Sequence, residues 1–412
     1  MVGGGAAGLM AAGQAAEAGA SVVLLEKMQR PGRKICISGK GRCNVTNSAD
    51  LPEFISHFGK NGRFLRQSFH RFFSTELMDF FSGHGLSLVT ERGGRVFPAT
   101  GKASDVLKTF QSCLARLPVS IRPDSRVEQL LCANGRVQGV VCNGQTVRGS
   151  AVILASGGAS YPATGSTGDG YEFARSVGHL IVPIRPWLVP VETAGDLARR
   201  LHGLHLRNIG VRLVIDNRKK KDGFGELLFM KYGLSGPVIL SLSGMIVDAL
   251  REGKQVSLVL DVKPALDERK LDARLQRDFQ KRHGEQMDSV LRGLMPREMV
   301  PVCLAETAIG PDRPAGEIRA AERKRLGHWL KHLSFTVTGY RGFKEAIVTA
   351  GGVDLAQVNP RTMESRLCPG LYLAGELLDL QADTGGYNLQ AAFSTGWLAG
   401  RSAAAQLMES LV

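Results

Sequence analysis

The chain has 412 residues, 43% of them hydrophobic and 22% charged, with a formal net charge of +14 at pH 7. That length suits two or three packed units, and the composition is that of a globular chain, not a fibrous or disordered one. No apolar run reaches 18 residues, and the seven cysteines are widely spaced without a CxxC pair, which excludes a disulfide scaffold and a zinc site. A cytoplasmic protein without a metal or a membrane partner is expected.

In chain order the first signal is MVGGGAAGLMAA, where Gly3, Gly5 and Gly8 spell GxGxxG. Such a loop turns a buried strand into a helix whose N-terminus holds a pyrophosphate. Only Met1 and Val2 precede it, so the native protein is expected to begin several residues earlier with an apolar strand. Residues 6–18 read as an alanine-rich helix with Gly19 at its C-cap, and residues 21–26 as a strand buried on both faces that ends in Glu26. Residues 30–47, RPGRKICISGKGRCNVTN, are basic, glycine-rich and non-periodic, which predicts an extended loop. Residues 60–84 space their phenylalanines helically, giving two helices broken near Ser74.

Asn134-Gly135 and Asn143-Gly144 predict two tight hairpin turns and a three-stranded meander over 126–154. A second buried strand, 151–154, runs into Ala155-Ser156-Gly157. From about 187 the pattern changes to short strands at 211–215, 226–229 and 256–260, with Arg218-Lys219-Lys220-Lys221 as a solvated hairpin tip. Residues 266–332 are charged and helical, strands return at 334–358, and 370–376 is a third strand ending in Gly375-Glu376.

Glu26 stands 18 residues after Gly8, where a carboxylate accepts from both ribose hydroxyls of an adenosine and repels a 2′-phosphate. The ligand expected from these residues is an ADP moiety without an extra phosphate. The remaining histidines show no HExxH spacing and no GxSxG elbow appears.

Several longer blocks are more specific: VGGGAAGLMAA, RPGRKICISGKGRCNVTN, ASGGASYPATGSTGDGYEFA, LLFMKYGLSGP, GFKEAIVTAGGV and RTMESRLCPGLYLAGELLDLQADTGGYNLQAA. In this order they resemble the BaiN/RdsA-type (HI0933-like) NAD(P)/FAD-dependent oxidoreductases, a flavoprotein family that includes aminoacetone oxidases. The resemblance runs from residue 2 to about 400. It implies bound FAD, with Gly3, Gly4, Gly5, Ala6, Ala7 and Gly8 on the pyrophosphate and Glu26 on the adenosine ribose. Arg33 and Lys34 would lie near phosphate or ribityl, Gly41, Arg42, Cys43 and Asn44 beside the flavin ring, and Val127 would meet the adenine through its backbone. Glu376 and Asp379 would accept from the ribityl chain, and Asn388, Leu389, Gln390 and Ala391 would aim backbone donors at the flavin pyrimidine edge. Lys27, Ala155, Ser156, Gly157 and Gly375 complete the cofactor set.

The residues bear on that assignment independently, because a helix starting near Asn388 would stabilise negative charge on reduced flavin; an ordinary asparagine-capped helix is the alternative. Lys40 departs from the family's glycine run and adds a cation there. A Cys36–Cys43 redox disulfide is disfavoured, since six residues intervene and no second nucleotide loop follows. Tyr161, Tyr340, Lys344 and Tyr387 are proton-donor candidates among which the sequence does not choose.

The expected fold is α/β: a discontinuous Rossmann-like FAD domain over 1–187 and 360–412, an inserted β-barrel-like domain over 188–263 and 333–359, and a helical cap at 264–332. Substrate is expected where the inserted parts face the flavin. The resemblance implies hydride transfer through flavin N5, favouring NAD(P)H-dependent reduction of an activated C=C bond in a small molecule, such as an oxo-steroid enone. Flavin amine oxidation is the alternative, and a basic flavoprotein acting on RNA a further one. No nucleic-acid partner is expected, because the basic residues are scattered along the chain.

Overall fold

The computed structural model describes residues 1–409, so the last three residues of the expected 360–412 segment lie outside the described residues. The chain forms two compact units, residues 1–186 with 343 onward, and residues 187–342.

The first unit is built on a parallel sheet. Val22–Leu25 pairs in parallel with Val119–Arg122, and Val152–Leu154 with Leu371–Leu373. Val2 joins the two pairs by bridging Leu25 on one side and Leu154 on the other. Its N–H donates to the Ile153 carbonyl at 2.9 Å, and its carbonyl accepts from Ala155 N–H at 2.9 Å. The two residues before the glycine loop therefore occupy the central strand position, and Gly3 N–H donates to the Leu25 carbonyl at 2.8 Å. Sheet strands covered on both faces need apolar residues throughout, which explains the runs VVLL, VIL and LYL.

The helix Ala6–Glu17 ends as the sequence predicts: Gly19 adopts φ 93°, and Ala20 N–H reaches back to the Ala15 carbonyl at 3.0 Å. It packs on the long helix Tyr387–Glu409 through small residues. A Cβ at Gly396 or Gly400 would lie 2.3 or 2.4 Å from the carbonyl oxygen of Ala7 or Ala11. Two backbones meet there with no room for a methyl group.

The meander forms as expected, with strands Val127–Ala133, Arg136–Cys142 and Gln145–Arg148. Its turn residues Asn134, Gly135, Asn143 and Gly144 all have positive φ, which the Asn-Gly pairs tolerate. The phenylalanine-rich segment is helical and breaks at Phe72-Phe73 between Arg66–Arg71 and Ser74–Gly83. The expectation of a loop over 30–47 is corrected: Arg33–Gly41 is helical, with Gly32 at φ 72° turning the chain in and Ile35 as its buried anchor. Helical geometry fails at Ser38, Gly39 and Lys40, and Gly41 has φ 83°, so the loop expectation holds for the end of this segment. The hairpin Leu88–Glu91 with Arg95–Pro98, and the helix Ala103–Leu114, had no counterpart in the sequence reading.

The second unit contains a closed six-stranded barrel. Around it run Val191–Thr193, Gly233–Ser235, Arg218–Met230, His205–Ile215, Val256–Asp261 and Leu333–Tyr340. The helices Glu268–Lys281, Met287–Leu291, Val300–Thr307 and Ala320–Lys331 share one continuous core with this barrel. A 15-residue helix, Pro237–Arg251, interrupts what the sequence reading took as strand texture. The basic run is also corrected: the tip of its hairpin is Asp216-Asn217, both at positive φ, and residues 218–221 lie on the strand itself. The strand Val348–Val353 pairs with Ile181–Trp187. Residues 343–359, assigned from sequence to the inserted β domain, thus fall in the first unit.

Candidate functional site

The glycine loop is shaped by close approach. A Cβ at Gly3 would lie 2.6 Å from the Ala155 carbonyl oxygen, and one at Gly8 only 1.9 Å from the Gly3 carbonyl oxygen. Gly4 is crowded by Pro31 and Glu26, whereas a Cβ at Gly5 would meet nothing within 4 Å. Gly5 is also the N-cap of the helix Ala6–Glu17, with no side-chain cap and no acid in the first turn. Amides left without partners at a helix start, beside open space, suit an anionic group.

Glu26 is buried at the end of its strand, and its two oxygens accept from Gly4 N–H and Met28 N–H, each at 2.8 Å. The carboxylate therefore shapes the loop. Lys27 pairs with Asp169 at 2.8 Å and donates to Thr167.

The strand Leu371–Leu373 delivers Gly375 and Glu376 to the first turn of the same helix, since a Cβ at Gly375 would touch Ala7 at 2.9 Å. Glu376 is the centre of a polar cluster. It accepts from Lys34 at 2.7 Å, from Ser160 Oγ at 2.7 Å and from Thr349 N–H at 2.7 Å. Lys34 also donates to Ser160 Oγ at 2.5 Å. Burial pushes the Glu376 carboxyl up, but the Lys34 charge and these hydrogen bonds outweigh it and hold the group below its ordinary range. The helix Arg33–Gly41 and the strand end at 376 are thereby locked together. Ser160 and Thr349 escaped the sequence reading. Both lie in quoted blocks, but a serine and a threonine among glycines and alanines carry no spacing signal.

Around the long helix start, Asn388 sits inside the first turn instead of capping it. Its amide clamps Ala382, accepting from its N–H at 2.9 Å and donating to its carbonyl at 3.0 Å. Gln390 donates to Ser394 Oγ at 2.9 Å, while Leu389 and Ala391 pack into the core. Gly386 is pressed against the Thr46 backbone, and Asn47 donates to the Gly385 carbonyl at 3.0 Å. The 43–47 segment and the 385–391 segment are therefore neighbours, as the cofactor assignment requires. Asp379 accepts twice from Asn61, through its carbonyl at 2.7 Å and its carboxylate at 2.9 Å. Arg42 forms an ion pair with Glu91 and stacks over Phe97 at 4.2 Å.

Cys43 is fully buried at φ 58°, and burial pushes its thiol up to about 12. Cys36 and Cys43 are both free. Tyr387 is packed edge-on against Phe54, and the His57 ring stacks on it at 3.9 Å while reaching Asp383 at 3.3 Å. Arg33 and Lys40 are exposed, Val127 begins its strand, and Tyr161 adopts φ 52°. Among the described residues, buried side-chain oxygens without a partner occur at Asn44 Oδ1, Ser156 Oγ, Thr193 Oγ1, Gln381 Oε1 and Gln390 Oε1. Three of those five, Asn44, Ser156 and Gln390, belong to the expected cofactor set, so the residues present fit a polar ligand such as FAD. Among the described residues no group of three acidic, histidine or cysteine side chains is placed to hold a metal, and no helix is long and apolar enough to cross a membrane.

A parallel sheet, a glycine loop against an uncapped helix and a strand-end acid define a Rossmann-type dinucleotide-binding fold. The model of the HI0933-like protein Rossmann domain matches residues 1–402. The 3-dehydro-bile acid delta(4,6)-reductase of Clostridium scindens is 35% identical over 98% of this chain and 98% of its own length. A ribosomal RNA dihydrouridine synthase of Escherichia coli is 30% identical, over 96% of this chain and 95% of its own. In fold, the 3-ketosteroid-delta4-(5alpha)-dehydrogenase of Rhodococcus jostii RHA1 superposes with a TM-score of 0.51 at 18% identity, covering 98% of this chain and 95% of that one. The chain belongs to the HI0933-like family and is an FAD-dependent oxidoreductase.

Proposed function

We propose that the protein reduces a carbon–carbon double bond conjugated to a carbonyl in a small molecule, with NAD(P)H as electron donor. The observation that carries this reading is the pair of relatives whose names both denote addition of hydrogen across carbon–carbon double bonds, each aligned over nearly the whole of this chain. Bound FAD supplies hydride transfer through its N5. The protein's own residues do the rest. The first turn of the helix Ala6–Glu17 binds the pyrophosphate, and Glu26 orients the adenosine ribose. Lys34 and Glu376 meet the ribityl region, where their mutual ion pair sets the distance between the two segments that flank it. The start of the helix Tyr387–Glu409 favours negative charge on the reduced ring. Tyr387 keeps its proton, since burial raises its phenol above the ordinary value, which suits it to hold or donate a hydrogen bond.

The test is anaerobic. NADH or NADPH should bleach the flavin spectrum, and a carbonyl-conjugated alkene should restore it. Bleaching by an amine, with no response to either nicotinamide, would instead identify an amine oxidase and overturn the proposal.

A further inference from the structure

Two of the seven free cysteines stand side by side although 236 residues separate them: Cys132 Sγ lies 3.7 Å from Cys368 Sγ. Neither belongs to the pair that the sequence reading weighed. Cys132 sits near the end of the strand Val127–Ala133, where the ladder slips: Leu131 faces Gly139 and Cys132 faces Val137, leaving Gln138 opposite no residue. A bulge of this kind bends the strand and re-aims the side chains around it. Here Val137 N–H donates outside the meander, to the Pro369 carbonyl at 3.1 Å. A Cβ at Gly370 would lie 3.0 Å from Val137 Cγ1, so the turn before Leu371–Leu373 packs directly against this strand pair.

The turn that carries Cys368 is fixed as well. Cys368 N–H donates to Ser365 Oγ at 3.0 Å, Leu371 N–H donates to the Cys368 carbonyl at 3.1 Å, and Ser365 Oγ is hydrogen-bonded to His179 Nε2 at 2.8 Å. With both backbones held, the two sulfurs stay within reach of each other. Bonded sulfurs stand about 2 Å apart, a gap that rotation of the two side chains closes. The thiols differ in access. Cys132 is exposed, whereas Cys368 is only 2% exposed, and burial together with the neighbouring Cys132 thiol pushes its own thiol up to about 12. Oxidation of cysteine follows exposure and thiolate character. An oxidant arriving from solvent therefore meets Cys132 first, and Cys368 stays a thiol until its neighbour has reacted.

We infer that Cys132 and Cys368 are a peroxide-responsive pair that closes into a reversible disulfide, Cys132 reacting first and Cys368 resolving it. The Cys132 sulfur attacks a peroxide oxygen and the O–O bond breaks, giving a sulfenic acid and, with the Cys132 proton, one water. The Cys368 sulfur then bonds to the sulfenic sulfur, whose S–O bond breaks, and the hydroxyl leaves with the Cys368 proton as a second water. One hydrogen peroxide is reduced and two thiols are oxidised; a dithiol returns the two electrons and restores both thiols. The bond ties the strand that begins at Val127 to the turn that leads into Leu371–Leu373 and Glu376. The inference goes beyond the reduction proposed above and does not depend on it.

The experiment uses the full FAD-loaded protein, reduced with dithiothreitol, desalted and exposed without denaturant to a few-fold excess of hydrogen peroxide. After alkylation with iodoacetamide in urea and digestion with trypsin, the peptides Val127–Arg136 and Leu367–Arg401, each with one cysteine, should appear joined and two hydrogens lighter than their sum. Dithiothreitol should separate them. In Cys368→Ser, dimedone should trap Cys132 as its sulfenic acid. In Cys132→Ser, Cys368 should be oxidised at least about tenfold more slowly than in the wild type. Recovery of Cys368 as the alkylated thiol from the treated wild type would overturn the pair, whether Cys132 has gone on to a sulfinic acid or has joined Cys132 of a second copy. Oxidation of Cys368 at the wild-type rate in Cys132→Ser would overturn it too, as would joined peptides that form only in urea. The disulfide is read with neither nicotinamide nor alkene present, so its failure and the failure of the proposed reduction are distinguishable.

Discussion

Gly8→Ala is the sharpest perturbation of the glycine loop. The new Cβ would sit 1.9 Å from the Gly3 carbonyl oxygen and 3.0 Å from its carbon. An unstrained carbon–oxygen contact needs about 3.3 Å, so the helix start must move by roughly 1.4 Å. Neither side yields easily, because Gly3 N–H is bonded to the Leu25 carbonyl at 2.8 Å and the helix is buried along most of its length. Overpacking against rigid backbone costs about 2–3 kcal/mol. For a unit of this size that corresponds to a fall in Tm of roughly 5–10 °C. The displaced turn should also lose FAD, measured as flavin released per chain after denaturation. Gly5→Ala is the companion variant: its Cβ meets no protein atom within 4 Å, so Tm of the FAD-free protein should change by less than about 3 °C. FAD uptake should nevertheless fall, because the methyl group enters the space reserved for phosphate. Wild-type Tm and flavin content in Gly8→Ala would refute the clash. Wild-type FAD uptake in Gly5→Ala would refute the placement of the pyrophosphate.

Glu376→Gln removes one partner of a partly buried ion pair and should destabilise the protein by about 1–3 kcal/mol at pH 7, read by urea titration; 28% exposure of the Lys34 side chain keeps the cost below that of a fully buried pair. Because the folded carboxyl is held below the ordinary value of 4.5, its contribution is present above that pH and is lost as pH falls through the lower, folded value. The stability gap between wild type and Glu376→Gln should therefore close below about pH 4.5, and a gap constant with pH would contradict the ion pair. Gly396→Ala gains about 1 kcal/mol of helix propensity yet should be destabilising by about 1–3 kcal/mol net, since its Cβ would lie 2.3 Å from the Ala7 carbonyl oxygen; a raised urea midpoint would show that the two helices can separate. Cys43 and Cys303 should resist iodoacetamide at pH 8 in the native protein while exposed Cys132 reacts, as mapped by mass spectrometry, because burial raises both thiols far above that pH.

Much of the first unit was legible in the sequence because its signals are local. Asn-Gly pairs fix hairpin turns, Gly19 needs a positive φ, and strands covered on both faces must be apolar throughout. The helix Arg33–Gly41 was not legible, because its stability comes from one buried residue, Ile35, and from the Lys34–Glu376 ion pair, whose partners are 342 residues apart. Ser160 and Thr349 meet Glu376 across 216 and 27 residues, and no local spacing announces either contact. Asn388 was legible as a helix-start residue, yet its side chain holds the preceding loop, a role that depends on where residue 382 returns in space. The basic run was misplaced because Asp216-Asn217 gives a weaker turn signal than Asp222-Gly223, and the partner strand's register decided between them.

The most direct measurement is of product. Under anaerobic conditions, with NADH or NADPH and a 3-oxo-4-ene steroid, mass spectrometry should find the steroid two hydrogens heavier, at a rate that falls together with flavin content in Gly8→Ala. An unchanged panel of carbonyl-conjugated alkenes, in protein carrying full FAD and bleached by the nicotinamide, would contradict the account.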